Sequence, residues 1–225
     1  MMRTYRWLPA LLMFAIFFIP VAHAKKGHDK GDEFLRVQAY ANAVPAAQGK
    51  VSRLLVNPFG EVDGLLLDTD TLVTFPKHMG EQLASAVKLG DTVEVKGYPE
   101  AENQIKAYVI TNARSNQPLM VQPKPPKGIM EMPKHLRSVG LQAMNAQGEI
   151  QHLYHGKHGE INGLILADGT VVRFSREASF QFAPMFKVGQ SISASGYGTK
   201  NQYGQAFEAT ALGPVGQALQ PVYQR

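Results

Sequence analysis

The chain has no cysteine among its 225 residues. No disulfide braces the fold, and no thiolate serves as a nucleophile or metal ligand. Hydrophobic burial must therefore supply the stability. Tryptophan is nearly as scarce, with one at position 7. Three active-site signatures are also missing: the Gly-x-x-x-x-Gly-Lys phosphate loop, the Gly-x-Gly-x-x-Gly dinucleotide turn and the Gly-x-Ser-x-Gly nucleophile elbow. Their absence leaves a nucleotide cofactor and a serine-hydrolase centre without a visible site. Neither a catalytic residue nor a cofactor is expected.

The first stretch, "MMRTYRWLPALLMFAIFFIPVAHA", has a basic start at Arg3 and Arg6, an apolar run through Val21 and a small-x-small ending at Ala22-His23-Ala24. This layout predicts a secretory signal peptide, residues 1–24, and a periplasmic or secreted mature protein with no membrane span. Without a following cysteine, no lipoprotein anchor is expected. Cleavage after Ala24 would remove two of the 23 basic residues and none of the 18 acidic ones. Near-balanced charge disfavours a strongly non-specific nucleic-acid binder. Residues 25–35 read as a charged, solvated leader.

What is present is a repetition. "GEVDGLLLDTDTLVTF" at 60–75 returns as "GEINGLILADGTVVRF" at 159–174, and at this constant offset of 99 residues 49–98 match 148–197 at 16 of 50 positions. Average composition would give roughly three by chance. Most identities are glycines or apolar residues, among them Gly64/Gly163, Leu65/Leu164, Phe75/Phe174, Gly97/Gly196 and Tyr98/Tyr197. Backbone bends and packed cores demand such residues.

In the first unit "GKVSRLLV", "VDGLLLD" and "TLVTF" read as three strands. "KHMGEQLASAVK" follows with Met79, Leu83, Ala86 and Val87 at helical spacing, and then "DTVEVKGY" and "QIKAYVITNA" read as two more strands. The second unit repeats the order, its helix interrupted by Pro184. Mainly β, with five strands per unit and a helix between strands 3 and 4, the chain predicts two tandem OB-fold barrels, small Greek-key barrels, at 36–112 and 140–213. The segment between them, 113–139, carries Pro118, Pro123, Pro125, Pro126 and Pro133 and reads as a semi-rigid linker. Residues 214–225 form a C-terminal tail.

The "GEVDGLLLDTDTLVTFPKHMG" and "HGEINGLILADGTVVRF" cores, followed by "VKLGD" or "FKVGQ" and then "VKGY" or "ASGYG", resemble the OB-fold repeats of exported bacterial proteins of unknown function. The resemblance spans most of the chain beyond residue 36. It implies the barrel fold and export, and assigns no functional residue.

Two kinds of site remain as candidates. OB-folds bind oligonucleotides or oligosaccharides across strands 2 and 3 and the flanking loops. Single-strand binding combines a basic groove with aromatic platforms. Arg53, Lys77, Lys96, Arg173, Arg176 and Tyr154 are the residues suited to such a groove, although repeat-equivalent aromatics such as Phe75/Phe174 fit core roles at least as well. The partner could be an envelope polymer, a single-stranded nucleic acid or a protein. The alternative is copper or nickel handling through His152, His155 and His158 or through Met130, Met132 and His135. Strand geometry opposes the histidine set, because residues three apart on a strand face opposite ways. Among "REASFQFAPMF", Phe180, Phe182 and Phe186 offer a further interaction patch, with core packing expected for at least two. Oligomeric state is not legible.

Overall fold

A computed structural model describes residues 46–122, 139–156 and 158–223, together with positions 39 and 124. The expected signal peptide and the Met130, Met132 and His135 set lie outside the described residues.

Strands β1 (Ala47–Val56), β2 (Val62–Leu67), β3 (Leu72–Thr74), β4 (Thr92–Ala101) and β5 (Gln104–Asn112) build the first barrel. β1 pairs antiparallel with β2 and β4, β2 with β3, and β4 with β5. The parallel pairing of β3 with β5, Val73 opposite Ile105, closes the ring. The second barrel repeats this with β7 (Gln142–His155), β8 (Ile161–Leu166), β9 (Val171–Arg173), β10 (Ser191–Asn201) and β11 (Gly204–Pro214), again closed by a parallel β9–β11 pair. The ring order 1-2-3-5-4, with a helix after the third strand, is that of the OB-fold.

Helix α1 (Gly80–Ala86) follows a 3₁₀ turn and buries Leu83 and Ala84. Helix α2 (Arg176–Phe182) starts at Ser175, whose side chain accepts a bond from the Ala178 amide. Beyond Phe182 the chain tightens into a 3₁₀ turn over Ala183–Met185. Pro184 lacks the N–H that another α-helical turn would need. The same frame buries Phe182 and Phe186 and leaves Phe180 outside, 67% exposed.

Both segments read as linker and tail contain a short strand. β6 (Gln117–Met120) pairs with β5, and β12 (Gln220–Pro221) pairs with β11, in each case beyond the few residues where β3 or β9 ends. Pro118 and Pro221 sit in these two strands, and proline is accommodated where a strand borders a sheet rather than runs through its middle. Leu55, Leu65, Leu67, Leu72 and Ile110 fill the first barrel; Ile150, Leu164, Leu166, Ile192 and Phe207 fill the second.

Candidate functional site

The barrels face each other through the strands and loops that OB-folds ordinarily turn toward ligand. The β1–β2 loop of the first meets the β10–β11 hairpin of the second: the Thr199 hydroxyl donates to the Pro58 carbonyl at 2.9 Å and the Asn201 amide to the Gly60 carbonyl at 2.8 Å. The mirrored contact joins the start of β5 to the end of β7. There the Gln104 side chain accepts from the His155 amide at 2.8 Å and donates to its carbonyl at 2.9 Å, much as a neighbouring strand would.

Position 53 and its repeat equivalent 152 perform matching tasks with different chemistry. Arg53 on β1 donates to the Asp168 carbonyl in the β8–β9 turn at 2.7 Å. His152 on β7 reaches Asp70 in the β2–β3 turn at 3.3 Å. These matching contacts relate the barrels as a pseudo-two-fold pair, and the faces that OB-folds ordinarily turn toward ligand cover each other.

Near the middle, Arg173 on β9 donates to Asp63 on β2 at 3.2 Å, while its guanidinium lies 3.3 Å from the centre of the Tyr154 ring. The Arg173 side chain is 12% exposed and Tyr154 is 7% exposed. Tyr154 shares an apolar cluster with Ile165, Val171, Ala206 and the first barrel's Leu54, Leu55 and Val56. Burial pushes the Tyr154 hydroxyl up to about 12, against the pull of Arg173. Burial also raises the Asp63 carboxyl, with Arg173 opposing. For Arg173 itself, burial works against the charge, and Tyr154 and Asp63 outweigh it. A cation over an aromatic face in a desolvated site contributes about 2 kcal/mol. Asp63 Oδ1, Asn162 Oδ1 at the repeat-equivalent position, and His155 Nδ1 are buried without a hydrogen-bond partner.

This geometry revises the expected groove. Arg53, Arg173 and Tyr154 contact the opposite barrel rather than an open channel. Lys77 is paired with Glu61 at 3.0 Å and Lys96 lies 3.9 Å from Glu94. Arg176 remains on the outer surface, over the Phe180 ring at 5.7 Å. The histidines separate as strand geometry requires: His152 turns to Asp70, His155 is tied to Gln104 through its backbone, and His158 donates its amide to Glu160. Among the described residues no three His, Cys, Asp or Glu side chains converge as a metal site. No local feature of the sequence announces the cross-barrel partners, although positions 53 and 63 differ from their counterparts His152 and Asn162.

Burial lowers the pKa of His152 and His155 below the ordinary 6.5; in His152 it outweighs the opposing pull of Asp70. A depressed imidazole pKa means that folding favours the neutral ring. Its contribution is present above pH 6.5 and is lost as pH falls through the folded-state values. Asp63 and Glu208, both raised by burial, have the opposite sign and lose their contribution as pH rises through theirs. The imidazole share is isolated by comparison with a His152→Gln, His155→Gln double variant. Between about pH 7.5 and 5.5 its urea midpoint should fall less than that of the unaltered chain. Equal falls would refute the assignment.

On the surface of the second barrel, Ser175, Glu177, Gln181, Val222 and Tyr223 line an open groove of about 510 Å³. The Tyr223 hydroxyl donates to Glu208 at 3.0 Å, and Gln181 to the Pro221 carbonyl at 3.5 Å, which holds β12 against α2. Phe180 and Tyr223 stand exposed at this surface.

No protein-family model and no curated protein match the chain. Among solved structures, it is similar to the wild-type single-stranded DNA binding protein from Thermus aquaticus, at 15% identity over 76% of this chain and 91% of that one, with a TM-score of 0.25. A deletion mutant of the same protein gives 13% identity over 77% and 94%, also at 0.25. Superpositions at that level do not extend to a shared ligand. The OB-fold assignment rests on the strand order and ring closure described above.

Proposed function

We propose that the chain is a non-enzymatic, exported binding protein of the cell envelope that engages a protein partner through the outer surface of its second barrel. The mutual burial of the two OB-fold ligand faces carries this reading, because it removes the basic, aromatic-lined groove that a single-stranded polymer needs. Arg173 and Tyr154, two of the groove candidates, are consumed in holding the barrels together. The surface around α2 and β12 stays exposed, with Phe180, Tyr223 and Arg176. Aromatics and arginine are the residue types enriched at protein interfaces. The N-terminal layout supports export, in keeping with the resemblance to exported tandem OB-fold proteins.

A photo-crosslinking residue introduced at position 180 in growing cells should capture one discrete protein, while the same probe at Lys50, on the other barrel, should not. Phe180→Ala should abolish capture by a probe at position 181 and shift stability by less than about 0.5 kcal/mol, because the ring is exposed. Tight, salt-sensitive binding of oligo-dT by the purified protein, with no adduct at 180, would sink the reading in favour of a polymer ligand.

A further inference from the structure

Among the described residues, the second barrel carries a length of strand that is paired along one edge alone. β7 runs for 14 residues, Gln142–His155, but only Ile150–His155 pair with β8. From Gln142 to Glu149 it is bonded to β10 along one edge. No other strand among the described residues pairs with its opposite edge.

The direction of the backbone groups follows from the ladder. Ile150 donates to Gln190 and accepts from Gly189, on the β10 side. The Glu149 carbonyl accepts from Ala167 on the other side. Antiparallel alternation then directs the amides and carbonyls of Met144, Ala146 and Gly148 to β10 and those of Ala143, Asn145 and Gln147 outward. The side chains of these last three are exposed, while Met144 and Ala146 pack on the barrel core.

Proteins usually blunt such an edge with lysine, proline or a bulge. None occurs here: 142–148 is "QAMNAQG", and its pairing with β10 proceeds without a register shift. We infer that this edge docks a second copy of the chain through the same strand, joining two β10–β7 sheets into one across a two-fold axis at Asn145. That axis sets Asn145 opposite Asn145 and Ala143 opposite Gln147, so every outward amide and carbonyl of the three residues meets a partner in about six hydrogen bonds. The segment is uncharged, so self-pairing opposes no like charges, and a charged peptide would find no complement on it. The contact is smaller than the roughly 800 Å² per partner of a stable complex, which makes the dimer concentration-dependent.

Sedimentation velocity of the purified protein between about 1 and 200 µM tests this. The unaltered chain should shift from monomer to dimer across the range. Asn145→Lys and Asn145→Glu should each weaken association at least about tenfold by opposing like charges. Both should keep the circular dichroism spectrum and melting temperature of the parent, because position 145 is exposed and its amide does not bond β10. An equimolar mixture of the two should dimerise again. A parent that stays monomeric, variants that dimerise as well as the parent, or a mixture that remains monomeric would each overturn the inference.

Discussion

Arg173→Ala should lower the unfolding free energy by about 3–5 kcal/mol, because it leaves Asp63 buried without its cation. Asp63 already has one carboxylate oxygen without a partner, and Arg173 supplies the bond to the other. The same deletion uncovers one face of Tyr154 in the apolar cluster that spans the barrels. Lysine at this position should recover only part of the loss. It restores a charge but not the planar group that stacks on the ring while donating to the carboxylate. Replacing both charges, Arg173→Met with Asp63→Leu, should recover most of it, because a buried ion pair contributes little beyond a well-packed apolar pair. Urea unfolding of the four proteins measures this. A loss below about 1 kcal/mol for Arg173→Ala would mean that the barrels are held by their loops and apolar contacts alone.

Gly97→Ala and Gly196→Ala should each prevent folding to a soluble protein. A Cβ at Gly97 would overlap the Lys106 carbonyl, and one at Gly196 would overlap the Glu208 carbonyl, both backbone atoms of the facing strand. Each glycine marks the point where its ladder slips register, between Lys96 and Gly97 in β4 and between Ser195 and Gly196 in β10. Backbone cannot swing aside as a flexible side chain can, so the cost should reach or exceed about 4–5 kcal/mol. Gly148→Ala is the informative control. Gly148 is also identical between the repeats, but an added Cβ there would meet only Leu166 side-chain atoms at 3.6 Å or beyond. Its effect should stay within about 1 kcal/mol. Soluble yield and urea midpoints for the three variants decide the matter; a Gly196→Ala protein as stable as Gly148→Ala would show that the bulge relaxes.

These glycines show why so much of the fold was legible. Gly97 and Gly196 recur at a fixed offset among alternating apolar residues, and both the bulge and the alternation are local consequences of a strand in a tightly coiled barrel. Helix α1, the interruption at Pro184 and the turn at Gly169, with its φ of 86°, are likewise decided by residues close in sequence. The strands at Pro118 and Pro221 were missed because a proline-rich window argues against regular structure, whereas the free border of β5 or β11 accepts two to four such residues.

The candidate site was far less legible. Arg53 and Arg173 have the composition of a ligand groove, and no neighbouring residue signals that their partners lie 115 and 110 positions away. Repeat identity gave no help: the cross-barrel pairs sit where the copies differ, Arg53 against His152 and Asp63 against Asn162. Sequence alone determined that this protein is built of two like barrels, because backbone periodicity and glycine demand are written within each strand. Only the tertiary structure decided that the barrels turn toward each other the faces that OB-folds ordinarily offer to ligand, because burial and charge pairing depend on which surfaces meet.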